Sequence, residues 1–400
     1  MQTRVRKSCT LYYSATITNR VWRERKLALL NPATTKRTLR VAEALQFEGK
    51  RCFVISPGIL PRTGGGKYFK PVLERLGCVP VVTLAQLASK FVGYMLTPFT
   101  AIGAARRISR KRRIENVIQY CYFPDAVVFS LWCKLAYGSR VVLDLEDICK
   151  PRMQDWRADS ETKPFLQLWG WCLMKLSVFA ANRVIIPSQK FADFVPEHKI
   201  ILLPGCQQVS PIKIEARKDD KINVLMSGGI TYENGMGILV DALRLVDKPG
   251  TNFRLWICGG GKVDWLAEQV GQLTNVEVKV YGFLDNAAFS AMYRQVDVCL
   301  ALQNPNGRHA RFKSPSKGFE AICSGKALIV SDIGDFGRLP DSVCFHLRPY
   351  AAEKLADILA SLKQNEVSTM GKNAFEYAKA HYDIPVVRRY LAERLGEDVR

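Results

Sequence analysis

The chain has 400 residues, 48% of them hydrophobic and 24% charged, and a formal net charge of +21. That length exceeds what one hydrophobic core commonly serves and predicts two domains, while the composition excludes a disordered, collagen-like or low-complexity chain. Twelve scattered cysteines with no CxxC pair argue against a disulfide or zinc framework and read as buried thiols of a reducing compartment.

The first twenty residues, MQTRVRKSCTLYYSATITNR, start basic but have no apolar core leading to a cleavage site, so no signal peptide is expected. Residues 1–26 read as a basic extension. LALL (27–30) reads as a first strand, TKRTLRVAEALQF (35–47) as a helix and RCFVIS (51–56) as a second strand. A Gly-rich loop, PGILPRTGGGKYF, leads into KPVLERLG, read as a helix. VVTL (81–84), VIQYC (117–121) and VVLDLED (141–147) read as strands, the last ending in acids.

Between the first two of these lies FVGYMLTPFTAIGAA (91–105), running into RRISRKRR (106–113) with its six bases. No stretch reaches the roughly 18 uninterrupted apolar residues of a membrane span. An apolar segment with a cationic flank fits a helix in the headgroup region of an anionic membrane; an internal core helix is the alternative. Residues 1–70 carry 15 Lys and Arg against 3 acids, so the positive field is uneven. Such a field attracts membranes, phosphorylated substrates or nucleic acid. Nucleic acid is the weaker reading, because no helix-turn-helix, RRM or zinc module is recognisable.

PFLQLWGWCLMKLSVFAA (164–181) reads as a Trp-rich helix before the strand RVIIPS, and ILLPGC (201–206) opens onto a polar linker. A second alternating series then begins, with strands INVLMS (222–227), FRLWICG (253–259), VEVKVYG (276–282), VDVCLAL (296–302), ALIVSD (327–332) and VCFHL (343–347). Helices near 235–246, 262–272, 286–294, 316–324, 351–363 and 370–381 separate them. The pattern predicts an α/β chain of two successive doubly wound, Rossmann-like domains, 27–205 and 222–381, joined by the linker 206–221. Residues 382–400 hold a C-terminal helix.

In such sheets ligands sit beyond the carboxyl ends of the strands. Four glycine loops lie there: TGGGKYF (63–69, with Gly65), SGGITYENG (227–235, with Gly228 and Gly229), CGGGKVDWL (258–266, with Gly260) and YGFLDN (281–286). Glycines let a backbone approach a diphosphate, helix N-termini supply N–H groups, and Lys67 or Lys262 adds charge. A tight strand-to-helix turn needs glycine regardless, and neither GxGxxG with its distant acid nor GxxxxGK[ST] is present. A fifth element is RFKSPSKGFEAICSGKALIVSD (311–332). Ser316 reads as a helix N-cap and Glu320 lies a turn inside. Its carboxylate either accepts hydrogen bonds from the vicinal diol of a ribose or interacts only with the helix N-terminus.

SPSKGFEAICSGKALIVSD resembles the C-terminal signature of the retaining, nucleotide-sugar-dependent glycosyltransferases of family 4, which share the two-Rossmann GT-B fold. GGITYENGMGILVDAL, ICGGGKVDWL and VKVYGFLDNAAFSAMYRQVDVCLAL resemble further parts of the family's second domain. NPATTKRTLRVAEALQFEGKRCFVISPG is similar to its first βαβ unit, and the likeness runs over roughly 27–385. It implies that Glu320 binds the nucleotide ribose and that Ser316, Lys317 and the helix N-terminus face the diphosphate. It also implies that Gly228 and Gly229 line the donor phosphates, that Phe283 and Leu284 lie by the base, and that the helix at 382–395 crosses back to the first domain.

The chain departs from that pattern at three places. Phe312 stands where the family has a first glutamate contacting the donor sugar. The family's basic pair falls on Gly229 and Asn234, leaving Lys262, Arg308, Arg311, Lys313 and Lys317 to neutralise the leaving diphosphate. The first-domain histidine is replaced by DLED (144–147), whose Glu146 and Asp147 either orient a sugar or acceptor hydroxyl or simply end a strand. His309 reads as a loop residue.

The resemblance implies transfer of a sugar from a nucleoside diphosphate sugar to an acceptor hydroxyl with retention. No cofactor is expected, and basic groups would stand where other enzymes use a metal. The charge distribution suits a lipid-linked or cell-surface glycan precursor at the cytoplasmic face of the membrane. A degenerate relative that binds a sugar nucleotide without turnover is the alternative.

Overall fold

In a computed structural model of the chain, the described residues are 7–26, 32–47, 50–58, 67–87, 89–148, 164–212, 220–307, 312 and 315–396. They divide into two units, the first made of residues up to Pro187 with Phe191–Cys206 and Val387 onward, the second of Gln207–Val386 with Ser188–Lys190.

The first unit holds β1 (Ser8–Tyr13), β2 (Arg51–Ser56), β3 (Tyr68–Phe69), β4 (Val72–Leu76), β5 (Val79–Thr83), β6 (Gln86–Leu87), β7 (Arg113–Tyr120), β8 (Arg140–Asp144), β9 (Arg183–Ile186) and β10 (Ile200–Leu202). Eight of them form one sheet in the order β10-β9-β8-β7-β1-β2-β5-β4, with β3 and β6 a separate antiparallel pair. All pairings in the large sheet are parallel except β4 with β5. Its helices are α1 (Asn19–Arg25), α2 (Pro32–Ala44), α3 (Lys90–Ser109), α4 (Pro124–Tyr137) and α5 (Pro164–Ala180). Buried strand faces and α3 and α4 share a core of Leu11, Tyr13, Ile55, Val117 and Phe129.

Two expectations fail here. Residues 8–13, assigned to a basic extension, are β1 near the middle of the sheet, where Leu11 and Tyr12 are fully buried. Residues 70–77, expected as a helix, give β4. Gly77 turns the chain in the left-handed region (φ 59°), and Glu74 accepts a hydrogen bond from Thr18, so VLERL runs as an edge strand with alternating exposure. The strand expected at 27–30 lies outside the described residues, as does Gly65.

The second unit holds β11 (Ile222–Ser227), β12 (Phe253–Cys258), β13 (Glu277–Gly282), β14 (Val298–Ala301), β15 (Ala327–Ser331) and β16 (Phe345–Leu347), in the order β13-β12-β11-β14-β15-β16. Every pairing is parallel. The order reverses between β11 and β14, the kind of switch point at which ligands of doubly wound sheets collect. The helices are α6 (Met236–Val246), α7 (Val263–Val270), α8 (Asn286–Tyr293), α9 (Ser316–Cys323), α10 (Ala352–Ser361), α11 (Gln364–His381) and the first residues of α12 (Ile384–Arg394), which belongs to the first unit from Val387 onward. The helix expected at 370–381 thus starts at Gln364. Two apolar clusters, one on each side of the sheet, form its core.

Part of the expected linker is tied to the second unit: Gln207 N–H donates to Tyr382 O, Ser210 N–H to Cys323 O and Ile212 N–H to Ser324 O. From Val387, α12 packs with the first unit, where Arg140 donates to Leu395 O.

Candidate functional site

In the second unit the loops after β11 and β12 are joined backbone to backbone. Gly228 N–H donates to Cys258 O at 2.9 Å, Ile230 N–H to Gly260 O at 2.8 Å, and Lys262 N–H to Ile230 O at 3.1 Å. Gly259 (φ 145°) makes this approach possible, since a Cβ there would meet Gly228 O at 1.7 Å. Asn234 Nδ2 donates to Gly229 O at 2.8 Å and closes the loop on itself. The side-chain direction of Gly260 is open space. Lys262 Nζ lies 4.3 Å from the centre of the Tyr232 ring, which packs against Trp265.

Helix α9 brings the opening polar residues of SPSKGFEAIC to the same strand ends. Its N-cap is Pro315, not Ser316, because the proline takes the extended cap conformation (φ −67°, ψ 101°); Ser316 is the exposed first helical residue. Lys317 Nζ and Glu320 Oε2 pair across one turn at 2.9 Å, and Lys317 also lies 5.6 Å from the Phe289 ring. Burial pushes the Cys258 thiol up to about 11 against the pull of the Lys317 ammonium, which ties Lys317 to the end of β12. Phe283 follows β13 and is 88% exposed, while Leu284 is half-buried against the Phe319 cluster. Phe312 is buried; Arg308, His309, Arg311 and Lys313 lie outside the described residues.

The structure therefore gathers Gly228, Gly229, Gly260, Lys262, Phe283, Leu284, Ser316, Lys317 and Glu320 at the carboxyl edge of one sheet. Asp147 and Glu146 belong to the other unit.

There the carboxyl end of β8 carries a charge network that sequence reading missed. Asp144, with no exposed side-chain surface, accepts from the Tyr12 hydroxyl and from Arg37 Nη2 at 3.0 Å. Arg37 Nε lies 2.7 Å from Glu146 Oε1, an ion contact not aligned as a hydrogen bond. Burial works against the Arg37 charge, but Asp144 and Glu146 more than offset it and raise its pKa. Burial pushes the Glu146 carboxyl up to about 7, opposed by Arg37 and assisted by Asp144 and Asp147. Asp147 is exposed. Asp144 and Glu146 are thus held in one charge network, although Arg37 and Tyr12 carry no motif that marks them.

A cavity of about 290 Å³ opens at the ends of β1, β2 and β7. Next to it in the chain, α3 presents Val92, Met95, Leu96 and Phe99 to solvent, a stripe at helical spacing, ahead of exposed Arg106, Arg107, Arg110 and Lys111. Among the described residues no helix is long and apolar enough to cross a membrane.

Residues 221–365 match the family model of glycosyl transferases group 1. Over these residues the second unit is similar to the group 1 glycosyl transferases. Phosphatidyl-myo-inositol mannosyltransferase of Mycobacterium tuberculosis is 33% identical over 139 residues, which are 33% of this chain and 35% of that protein. The Mycobacterium leprae protein of the same name is 33% identical over 138 residues, 33% of this chain and 34% of its own. The matches span about a third of the length of these relatives. Over nearly the whole chain the fold is that of the GT-B glycosyltransferases. Sucrose-phosphate synthase from Thermosynechococcus elongatus superposes with a TM-score of 0.67 at 16% identity, covering 97% of this chain and 99% of that one. HepE of Anabaena, solved in complex with UDP and glucose, superposes at 0.60 and 16% identity, covering 98% and 99%.

Proposed function

We propose that the protein transfers a sugar from a nucleoside diphosphate sugar to an acceptor hydroxyl, with retention and without a metal. The observation that carries this reading is the convergence of the zipped glycine loops with the Lys317–Glu320 pair at the switch point of the second unit. Backbone N–H groups of the loops and of the α9 N-terminus suit a diphosphate. The Glu320 carboxylate suits the two hydroxyls of a ribose. A diol that takes Glu320 frees the Lys317 ammonium for the phosphates, where charge grows as the diphosphate leaves. The HepE complex with UDP and glucose supports a nucleotide-linked donor, and the mannosyltransferase relatives support sugar transfer.

A panel of nucleoside diphosphates and their sugar conjugates tests this by thermal shift. One nucleotide should raise the melting temperature as RT ln(1 + [L]/Kd), and Glu320→Ala should remove most of that rise. No shift with any nucleotide overturns the proposal.

The acceptor is proposed to be lipid-linked, as part of a cell-surface glycan precursor held at the cytoplasmic membrane face. The outward stripe of α3 followed by exposed arginines supports a helix lying in an anionic headgroup layer. Sedimentation with phosphatidylglycerol vesicles, but not with phosphatidylcholine vesicles, is expected. Phe99→Asp with Met95→Asp should weaken it at least tenfold, and unchanged sedimentation rejects this surface.

One observation favours a second reading, sugar-nucleotide binding without turnover. Phe312, in the place of a sugar-contacting carboxylate, is an apolar side chain with 9% exposure. Nucleotide-dependent stabilisation without release of nucleoside diphosphate from any sugar nucleotide would select it.

A further inference from the structure

Helix α5 carries a single charged side chain, Lys175, in the run PFLQLWGWCLMKLSVFAA (164–181). Its inner face is filled: Met174, Ser177 and Val178 are buried, and Ser177 Oγ accepts from Gln119 Nε2 at 3.1 Å. Its last turn is held by Lys134 Nζ, which donates to Ala180 O at 2.8 Å, and by Lys199 Nζ, which donates to Phe179 O at 3.0 Å. These contacts fix the rotation of the helix about its axis. What it then turns outward is apolar: Phe165, Leu168, Trp169, Cys172, Leu176 and Phe179 are all exposed, at the spacing of one helical face.

Together these side chains expose roughly 700 Å², above the largest patch of an ordinary monomer and near the roughly 800 Å² that each partner gives to a stable interface. The stripe differs from that of α3, from which α4 separates it. Four exposed cations follow α3, whereas only Ala181 and Asn182 stand between α5 and β9. An anionic surface finds less to recognise here, and an apolar protein face fits better.

The order of the stripe singles out that face. Counted outward from Cys172, a leucine stands four residues away on each side (Leu168 and Leu176) and a phenylalanine seven away on each side (Phe165 and Phe179). Trp169 stands three residues before the centre and Lys175 three after it. Two antiparallel helices related by a two-fold axis at Cys172 place each residue opposite the one equally far beyond the centre. Leucine then meets leucine, phenylalanine meets phenylalanine, and Trp169 meets the partner's Lys175, an aromatic face against an ammonium. Lys175 Nζ already lies 4.8 Å from the centre of its own Trp171 ring, so it is at home beside an indole. A parallel pair would instead set Lys175 against Lys175, two like charges losing water together.

We propose that the outer face of α5 binds a second copy of this chain, in a two-fold homodimer whose α5 helices run antiparallel and cross at Cys172. The glycosyltransferase reading neither requires this dimer nor forbids it.

Sedimentation equilibrium of the full chain tests the proposal, and a dimer dissociating in the micromolar range or below is expected. Leu168→Lys or Leu176→Asp alone should weaken it by about tenfold or more, since each puts two unpaired charges in the seam. The double variant should recover most of that loss, because the antiparallel register sets each new ammonium opposite a new carboxylate. Both positions are exposed, so the fold is kept, and far-ultraviolet circular dichroism checks that it is. A short bismaleimide should join two native chains through Cys172. Cys172→Ser should abolish that cross-link, and Cys78→Ser, at the other exposed cysteine among the described residues, should not. A monomer throughout the micromolar range overturns the proposal, as does a dimer indifferent to Leu176→Asp. Single-variant losses that the double variant does not recover overturn it too, as does a native chain that is not cross-linked or a cross-link that survives Cys172→Ser. A monomer whose sedimentation with vesicles is lost in Leu176→Asp assigns the face to a membrane and likewise overturns it.

Discussion

In the second unit, the loops beyond β11 and β12 meet through main-chain atoms. Gly259 lies against Gly228 O, and Ile230 exchanges hydrogen bonds with Gly260 and Lys262. In the first unit, the ends of β1, β7 and β8 meet through side chains: Tyr12 with Asp144, Arg37 with two acids, Tyr13 with Asp125. The first kind of site depends on the absence of side chains and is knit from main-chain N–H and C=O groups. The second depends on buried carboxylates held by hydroxyls and a guanidinium. Two halves of similar topology thus build equivalent strand ends by different means.

The largest expected effect comes from breaking the side-chain site. Arg37→Ala would leave Asp144 and Glu146 without their shared cation, at a cost of about 3–5 kcal/mol. Urea unfolding followed by circular dichroism should show that loss; one under 1 kcal/mol would mean that the network is not held together by charge.

The matching break on the backbone side is Gly259→Ala. A Cβ there runs into Gly228 O in a backbone region that suits glycine, so about 2–4 kcal/mol should be lost. Gly260→Ala, which meets open space, should leave the midpoint within about 0.5 kcal/mol of the native chain. Equal effects of the two substitutions would remove the distinction between the zipped glycine and its neighbour.

The subtlest difference lies in pH dependence. Glu146 binds its proton more tightly when folded, with a pKa of about 7 in place of its ordinary 4.5. Its contribution to stability is therefore fully present below pH 4.5 and is lost as pH rises through 7. Melting temperatures measured across that window should fall less steeply with rising pH in Glu146→Gln than in the native chain. Parallel profiles would show that the carboxyl is already ionised.

The same contrast explains what was legible beforehand. Glycines, the polar start of SPSKGFEAIC and alternating apolar runs are local signals, so the second sheet, its loops and α9 could be read along the chain. The Tyr12–Asp144 contact joins residues 132 positions apart and Arg37–Asp144 residues 107 apart, and no local pattern records such meetings. β1 was hidden by the basic residues before CTLYYS. β4 was hidden by Glu74 and Arg75, which fit an exposed helix as well as the edge strand they occupy. Ser316 was misplaced by one position because serine is the commoner cap, whereas Pro315 fixes the entry geometry by its ring.

The zipped loops of the second unit also bear on how such a protein diversifies. Their contacts run through N–H and C=O groups that every residue but proline possesses, so neighbouring side chains can drift without disturbing the cradle. Phe283, standing 88% exposed at the rim, is free to be exchanged while the frame beneath it stays constant. For an engineer, that makes the rim the place for substitution and the glycine pair the part to leave alone.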